Sequence, residues 1–330
     1  MEKIGVLGAG TWGTTLANLL AENGFEITLW VRREELCYRI IETGENSDYL
    51  PGIKLSDRIH PTTSLEEAIE DKAIVVCAIP SHGVRHVLIG AKGFFKRGVI
   101  VVSASKGIEE EGLLTVSQVL KEVLQKGLDI AVLSGPSFAR EVSLNLPTAV
   151  VIASENKGVA ERCQQVFSAR YFRVYTSQDV VGVELGGALK NVIAISAGVS
   201  DGLGLGLNAR AALITRGLAE ISRLGVKKGA SLYTFSGLSG LGDLVLTCTG
   251  ELSRNRRVGV MRGKGHRLEE VLAGMREVAE GVKTTRAAYG MAKRFDVEMP
   301  ITEEVYKVLY EGKTPKDAVW ELMGRGLKGE

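Results

Sequence analysis

Short apolar runs separated by amphipathic stretches fill the first half of the chain. They lie at 3–7, 25–31, 73–79, 99–103, 129–134, 148–153 and 172–175. They are rich in Val and Ile and mostly continuous, which is typical of strands buried on both faces of a parallel sheet. Helical periodicity separates several of them, clearly at 11–23 and 113–126 and briefly at 65–70. The pattern predicts an open parallel α/β sheet, with the polar, turn-rich stretch 42–62 as an excursion between the second and third strands.

The second half of the chain carries helical periodicity without strand signals. Candidate helices lie at 183–199, 208–224, 267–274, 281–294, 302–311 and 315–323. Pro300 and Pro315 stand at or near predicted helix starts, where proline is tolerated. Asn208 is placed to cap the helix that follows a glycine-rich loop at 202–206. We therefore predict two domains, an α/β domain over 1–179 and an all-helical domain over 180–330.

A glycine-rich turn follows the first predicted strand and opens the first predicted helix. Its glycines are Gly8, Gly10 and Gly13. In a dinucleotide site the first glycine permits the tight turn, the second lets the backbone approach a pyrophosphate, and the third lets the helix pack on the strand. The N–H groups that open the helix then face the phosphates. The position favours a dinucleotide site over an ordinary tight turn.

The end of the second predicted strand bears on which dinucleotide is bound. A site for NAD usually has Asp or Glu about 20 residues after the glycines, where it bonds the ribose 2′-hydroxyl. This chain has Arg32 and Arg33 there. Guanidinium groups suit a 2′-phosphate, which a carboxylate would repel. The alternative is two solvated arginines at a strand end, but the missing acid favours NADP(H).

Composition and charge exclude several classes of protein. Hydrophobic residues make up 45% of the chain and charged residues 24%, and the formal net charge is +2. This balance argues against a nucleic-acid partner or an anionic membrane surface. We expect no secretory signal and no membrane span, since no apolar run approaches the required ~18–20 residues. The four scattered cysteines form no disulfide framework and no metal-ligand pattern, so we expect no metal and a cytoplasmic location.

Lys190 and Asn191 lie in the middle of a predicted helix that is apolar almost all round. Lysine is almost never fully buried without a partner, and an ammonium in an apolar environment gives up its proton more readily. One interpretation is therefore a lysine that transfers a proton. The other is a lysine whose ammonium reaches the surface while its stem stays buried.

Polar segments supply further candidates for chemistry. A glycine-rich loop at 237–242 precedes Asp243, and Ser253, Arg254 and Asn255 follow. A guanidinium fork beside small neutral donors suits a phosphate monoester, although a polar loop that caps helices would look the same. The segments 79–82, 103–107 and 134–139 follow predicted strands directly, at the edge where α/β sheets bind ligands. His82, in the first of these, is expected to be an ordinary loop residue.

These residues together resemble the bacterial NAD(P)-dependent glycerol-3-phosphate dehydrogenases along nearly the whole chain. The matching motifs are Gly8-Ala9-Gly10-Thr11-Trp12-Gly13, Ser105-Lys106-Gly107, Ser134-Gly135-Pro136-Ser137-Phe138-Ala139, Leu189-Lys190-Asn191, Gly240-Leu241-Gly242-Asp243-Leu244, Leu252-Ser253-Arg254-Asn255 and Glu280-Gly281. The resemblance implies a Rossmann-type doubly wound domain followed by an all-α domain, similar to 6-phosphogluconate dehydrogenase. It also implies a homodimer, and a product that feeds glycerophospholipid synthesis.

The resemblance carries roles onto matching positions. Lys190 matches the proton-transfer lysine, with Lys106 and Asp243 assisting. Besides the three glycines, the implied cofactor contacts are Thr11, Trp12, Arg32, Arg33, Lys106, Ala139, Arg254, Val278 and Glu280. The implied substrate contacts are Lys106, Gly135, Ser137, Lys190, Asp243, Ser253, Arg254 and Asn255.

The implied activity is hydride transfer between NADP(H) or NAD(H) and the pair dihydroxyacetone phosphate and sn-glycerol 3-phosphate. The sequence leaves two alternatives. A 3-hydroxyacid or 6-phosphogluconate-type dehydrogenase of the same architecture would share the glycine turn but lack Gly-Leu-Gly-Asp followed by Ser-Arg-Asn. A non-enzymatic NADP-binding sensor would keep residues 1–33 and have no reason to bury Lys190.

Overall fold

The computed structural model describes residues 2–124, 127–275, 278–327 and 329. The chain divides into two compact units. The first, here called the sheet unit, comprises Met1–Lys106 and Thr115–Val183. The second, the helical unit, comprises Gly107–Leu114 and Glu184–Glu330. The end of the predicted helix 113–126 falls at 125–126, outside the described residues.

Eight strands form one sheet in the order β3-β2-β1-β4-β5-β6-β7-β8. Neighbouring strands are parallel, as predicted, except that β7 runs antiparallel to β6. A continuous apolar run fixes burial but not direction, so the sequence could not show this reversal. The strands are β1 (Lys3–Leu7), β2 (Glu26–Trp30), β3 (Ile59–Thr62), β4 (Ile74–Cys77), β5 (Ile100–Ser103), β6 (Asp129–Ser134), β7 (Thr148–Ala153) and β8 (Phe172–Ser177).

The edge strand β3 lies inside the stretch 42–62 that the sequence predicted to be an irregular excursion. It has only four residues and contains Pro61, which cannot donate a ladder hydrogen bond and is tolerated at a sheet edge. Because β3 is short and polar, it does not form the apolar run from which the other strands were predicted. By contrast β1, β4 and β5 have fully buried side chains such as Ile4, Val76 and Val102, in agreement with strands covered on both faces.

Seven α-helices lie in the described part of the sheet unit, and the sequence pattern located three of them. Length does not explain why the other four were missed, since two of those four have 11 residues. All seven alternate with the strands along the chain. They are α1 (Thr11–Glu22), α2 (Glu34–Thr43), α3 (Leu65–Ile69), α4 (Ser81–Ala91), α5 (Val116–Val123), α6 (Ala139–Ser143) and α7 (Lys157–Phe167).

From Val180 onward the described chain is helical, as predicted. Pro300 and Pro315 are the first residues of their helices. Asn208 lies inside the first turn of α9 and does not cap it, because the helix already begins at Gly206. The helices are α8 (Val180–Gly202), α9 (Gly206–Lys227), α10 (Asp243–Thr249), α11 (Arg254–Gly263), α12 (Leu268–Ala273), α13 (Glu280–Phe295), α14 (Pro300–Tyr310) and α15 (Pro315–Met323).

Glycines bring α8 and α11 into backbone contact. A Cβ added at Gly198 would lie 2.0 Å from the carbonyl oxygen of Arg256, and one at Gly259 would lie 2.0 Å from that of Ile195. One turn further along, Gly202 and Gly263 meet with 3.0 Å between an added Cβ and the facing Cα. Only glycine permits this approach, so the helix that begins at Arg254 is held directly on the helix that carries Lys190.

The short segment Gly107–Leu114 groups with the helical unit although it lies between β5 and α5 in sequence. Glu110 forms an ion pair with Arg286 of α13 at 3.2 Å between carboxylate oxygen and guanidinium nitrogen. Leu113, at a φ of 54°, covers Gly290 on the same helix, where an added Cβ would lie 3.1 Å from its side chain.

Helix α8 is long and apolar enough to cross a membrane by length and composition. The expectation that no segment reaches this length was therefore wrong. However, 94% of its most apolar 18-residue window is buried inside the fold. A buried interior helix passes the same test, because burial on all sides needs apolar residues all round.

Candidate active site

The glycine turn has the geometry that a dinucleotide site needs. Gly8 has a φ of 114°, and an added Cβ would lie 2.8 Å from the carbonyl oxygen of Ala78. At Gly13 an added Cβ would lie 1.9 Å from the carbonyl oxygen of Gly8, so the helix packs tightly on the turn. An added Cβ at Gly10 meets nothing within 4 Å. The open approach at Gly10, at the start of α1, fits a pyrophosphate.

Two residues at the start of α1 were expected to contact the cofactor. The Thr11 hydroxyl donates to the carbonyl oxygen of Tyr49 at 3.1 Å. The indole nitrogen of Trp12 is buried and has no hydrogen-bond partner among the described residues. A buried N–H without a partner is uncommon in folded proteins, so this donor is available to a ligand at the turn.

The excursion after β2 is fastened to the glycine turn, which the sequence did not indicate. The fully buried Asn46 amide donates to the carbonyl oxygen of Ala9 at 2.9 Å and to the Thr14 hydroxyl at 2.8 Å. The Asp48 carboxylate, two residues on, contacts two guanidiniums, those of Arg33 and Arg39, each at 2.5 Å.

These contacts change the electrostatics at the end of β2. The hydrogen bond from Arg33 is the largest influence that holds the pKa of Asp48 below its usual range. The Arg33 guanidinium also lies 5.6 Å from the centre of the Tyr49 ring. Arg32 is exposed. An acid therefore does lie beside Arg33, one of the two predicted arginines, and it comes from a loop rather than from the strand.

The loops after β5 and β6 meet at the edge of the sheet. The Lys106 ammonium donates to the carbonyl oxygen of Gly135 at 2.8 Å, and the Ser137 hydroxyl donates to the same oxygen at 3.0 Å. Gly135 has a φ of 138°, and an added Cβ would lie 2.9 Å from Cα of Val150. Ala139 follows as the first residue of α6. The predicted residues Lys106, Gly135 and Ser137 therefore form one cluster.

In the helical unit, Lys190 is buried against a carboxylate. Its ammonium forms a close ion pair with Asp243, and it donates to the Thr247 hydroxyl at 2.9 Å. The Lys190 side chain is 8% exposed and that of Asp243 is 1% exposed. The Thr247 hydroxyl in turn donates to the Asp243 carbonyl oxygen at 2.6 Å. Of the two interpretations of Lys190, the snorkelling lysine is wrong.

Thr247 was not among the predicted site residues. It lies four residues after Asp243 on α10, and residues at that spacing share one face of a helix. This spacing is a signal that the sequence contains, once α10 is recognised as a helix.

The glycines before Asp243 have a structural explanation. Residues Leu238–Gly242 form a π-helical turn that leads into α10. An added Cβ at Gly240 would lie 2.2 Å from the carbonyl oxygen of Phe235. On α8, an added Cβ at Gly186 would lie 2.5 Å from that of Ser239. The close backbone approach predicted for this loop is thus made to its own unit, and it sets Asp243 against Lys190.

The predicted phosphate residues lie at the start of α11. Ser253 caps the helix by accepting a hydrogen bond from the Arg256 N–H at 3.2 Å, as the capping alternative expected. Arg254 is exposed and is the first helical residue. The Asn255 side-chain oxygen accepts from the Gly281 N–H at 2.9 Å, which leaves its NH₂ group to donate to a ligand.

Asn191 belongs to the same cluster, because an added Cβ at Gly281 would lie 2.7 Å from its carbonyl oxygen. Glu280 is the first residue of α13, and Val278 is 40% exposed just before it. Across the described ranges, no three His, Cys, Asp or Glu residues are grouped to hold a metal ion.

A glycine turn suited to a pyrophosphate on a doubly wound sheet, and a buried lysine–aspartate pair among helices, define an NAD(P)-dependent dehydrogenase. Comparison with known proteins specifies it further. Residues 3–160 match the family model for the N-terminus of NAD-dependent glycerol-3-phosphate dehydrogenase, and residues 179–320 match the model for its C-terminus.

Individual relatives agree. The glycerol-3-phosphate dehydrogenase [NAD(P)+] of Citrifermentans bemidjiense is 57% identical over 100% of this chain and 99% of its own. That of Bacillus licheniformis is 52% identical over 98% and 95%. The crystal structure of glycerol-3-phosphate dehydrogenase from Coxiella burnetii superimposes with a TM-score of 0.95 at 38% identity, covering 98% of this chain and 99% of that one. The chain belongs to the NAD-dependent glycerol-3-phosphate dehydrogenase family.

Proposed function

We propose that the chain interconverts dihydroxyacetone phosphate and sn-glycerol 3-phosphate, with Lys190 as its proton-transfer residue. The observation that carries the proposal is the buried Lys190–Asp243 pair with Thr247. A structural lysine gains nothing from burial against a carboxylate, since the desolvation cost often exceeds the gain from pairing.

The bound nicotinamide supplies or accepts the hydride at the substrate carbon. In the direction of reduction, the Lys190 ammonium donates its proton to the carbonyl oxygen as negative charge develops there. Asp243 pairs with the Lys190 ammonium and orients it, and the Thr247 hydroxyl accepts a second hydrogen bond from that ammonium. In oxidation the same amine accepts the proton of the alcohol.

Lys106 is proposed as a second cation for the substrate. The hydrogen bond to the Gly135 carbonyl oxygen holds the Lys106 ammonium at this edge of the sheet. Ser137 and Gly135 are proposed to line the same substrate contact. Ordered donors cost no reorganisation when charge develops, which is the main source of electrostatic catalysis.

The start of α11 is proposed to bind the substrate phosphate. It combines the positive end of a ten-residue helix with the Arg254 guanidinium and the Asn255 NH₂ group. Ser253 caps the helix with its oxygen and can still donate its O–H. Planar guanidinium and small neutral donors match the oxygens of a phosphate monoester.

The remaining assignments rest on the family. The cofactor is proposed to contact Gly8, Gly10, Thr11, Trp12, Gly13, Arg32, Arg33, Lys106, Ala139, Arg254, Val278 and Glu280. We further propose a cytoplasmic homodimer, a dinucleotide-binding domain over 1–179, a substrate domain over 180–330, and a product used in glycerophospholipid synthesis.

The phosphate assignment is tested with Arg254→Lys. A point charge cannot reproduce the bidentate fork, so the KM for dihydroxyacetone phosphate should rise. The kcat should fall as well, because the carbonyl is oriented less well. Arg257→Lys is the matched control, because Arg257 is an exposed arginine three residues on in the same helix. The affinity for NADPH is measured alongside by fluorescence titration.

Unphosphorylated dihydroxyacetone should be a very poor substrate for all three proteins. Reduction of dihydroxyacetone by the wild-type protein as efficiently as its phosphate would overturn the substrate assignment. Equal KM and kcat values for Arg254→Lys and Arg257→Lys would show that the substrate phosphate does not bind at the start of α11.

A further inference from the structure

Asp48 is an acid shared between two arginines beside the proposed cofactor site. Its two carboxylate oxygens divide between them, one to Arg33 and one to Arg39. The Asp48 side chain is 28% exposed, and those of Arg33 and Arg39 are 47% and 41% exposed. All three groups are therefore fixed by pairing and still reachable by a ligand from solvent.

Residues on both sides of Asp48 fasten it to the glycine turn. Asn46 holds the Ala9 carbonyl and the Thr14 hydroxyl, and the Tyr49 carbonyl accepts from Thr11. The turn itself is joined to the end of β2, since the Gly8 N–H donates to the Trp30 carbonyl at 3.2 Å. The carboxylate is thus tied to the same edge of the sheet as the arginines that follow β2.

The chemistry of the two ribose forms differs at this point. A carboxylate accepts a hydrogen bond from a ribose 2′-hydroxyl and repels a 2′-phosphate. A guanidinium favours the phosphate. Here Arg33 already donates a hydrogen bond to Asp48. A 2′-phosphate that binds Arg33 therefore has to share this guanidinium with the Asp48 carboxylate, which is also negatively charged.

Resting on the proposed cofactor site, we propose that Asp48 is a specificity-determining residue that restrains Arg33 and so keeps NADH usable beside NADPH. Its carboxylate accepts a hydrogen bond from the ribose 2′-hydroxyl of NADH. Arg32 is exposed and makes no ion pair among the described residues. Its guanidinium binds the 2′-phosphate of NADPH without a carboxylate competing for it. The pair therefore sets a balance between the two cofactors rather than a single preference.

The test is direct binding, measured by titration calorimetry on the full chain. The probes are NADPH, NADH and their adenosine ends, adenosine 2′,5′-bisphosphate and 5′-AMP. Asp48→Asn removes the charge and keeps the size. It should raise the preference for the bisphosphate over 5′-AMP about 10-fold or more, the scale of one charge-assisted hydrogen bond. The gain should shrink as salt is added.

Asp57→Asn is the matched control, with the same change of charge at an exposed aspartate nine residues on. It should leave the preference unchanged. Adding Arg33→Ala to Asp48→Asn should cancel the gain, because the gain is made through Arg33. Asp48→Ser gives a second removal of the carboxylate if the Asn variant folds poorly, which thermal melting reports.

An unchanged preference in both Asp48 variants would overturn the inference, as would a gain that survives Arg33→Ala or an equal gain in Asp57→Asn. Failure of the wild-type protein to bind either NADPH or NADH would instead overturn the proposed function. The two failures are therefore distinguishable.

Discussion

Replacing Lys190 by Met should cost stability as well as activity. The change removes the ammonium and keeps most of the apolar stem, so packing is largely preserved. It leaves the Asp243 carboxylate, 1% exposed, without the cation beside it. Removing one partner of a buried ion pair typically costs about 3–5 kcal/mol, because the remaining charge stays desolvated.

A double-mutant cycle separates this cost from catalysis. Asp243→Asn removes the charge of the partner, and Lys190→Met with Asp243→Asn removes both charges. The double variant should recover about half or more of the loss seen in Lys190→Met, since replacing both ions is often nearly neutral. Urea unfolding followed by circular dichroism measures all four proteins. The kcat should fall about 10²-fold or more in every protein that lacks Lys190, the scale of a positioned proton donor.

Binding of NADPH, measured by fluorescence, should persist in the folded single variants. Lys190→Met with wild-type stability would refute the reasoning, because it would mean that the Asp243 carboxyl does not carry a charge that needs Lys190. A near-normal kcat in the double variant would show that Lys190 is structural.

Three further outcomes are expected. Burial raises the pKa of Glu220 to about 7, above its unfolded value near 4.5. The contribution of this group to stability is therefore full below pH 4.5 and is lost as the pH rises through 7. The urea midpoints at pH 5 and pH 7 should differ less in Glu220→Gln than in the wild-type protein, and an unchanged difference would contradict this. Gly259→Ala puts a Cβ 2.0 Å from a carbonyl oxygen of α8 and should cost about 1–3 kcal/mol and raise the KM for dihydroxyacetone phosphate, whereas Gly90→Ala, with open space around it, should not destabilise. Changing Arg32 and Arg33 together to Ala should weaken NADPH by about 1.5–3 kcal/mol per lost contact and NADH much less; equal losses would exclude a 2′-phosphate role.

The sequence predicted every strand except β3 and most of the later helices, because these follow from local periodicity. The glycine turn was predicted from its spacing. Gly13 is explained by the turn itself, whereas Gly8 also lies against the carbonyl oxygen of Ala78. The direction of β7 could not be predicted, since the same apolar run serves either direction. The helices α10 and α11 were not predicted, because α10 has only seven residues and the polar residues of α11 hide the helical period.

The site was predictable as a set of residues but not as a set of contacts. The pairing of Lys190 with Asp243 joins residues 53 positions apart and depends on the packing of α8 against α10. Asp48 escaped notice for a related reason. In the usual pattern the acid stands at the end of β2. In this chain it lies in the loop after β2, and the contacts of Asn46 with the glycine turn hold that loop in place.

The segment Gly107–Leu114 has a consequence for how this architecture can be recombined. The helical unit is encoded in two pieces, and its smaller piece, with Glu110 and Leu113, interrupts the sheet unit. A contiguous cassette that starts at Glu184 would leave Arg286 without its carboxylate and Gly290 uncovered. Exchange of the helical unit between related genes therefore has to carry an eight-residue insertion with it, or select for a replacement of both contacts.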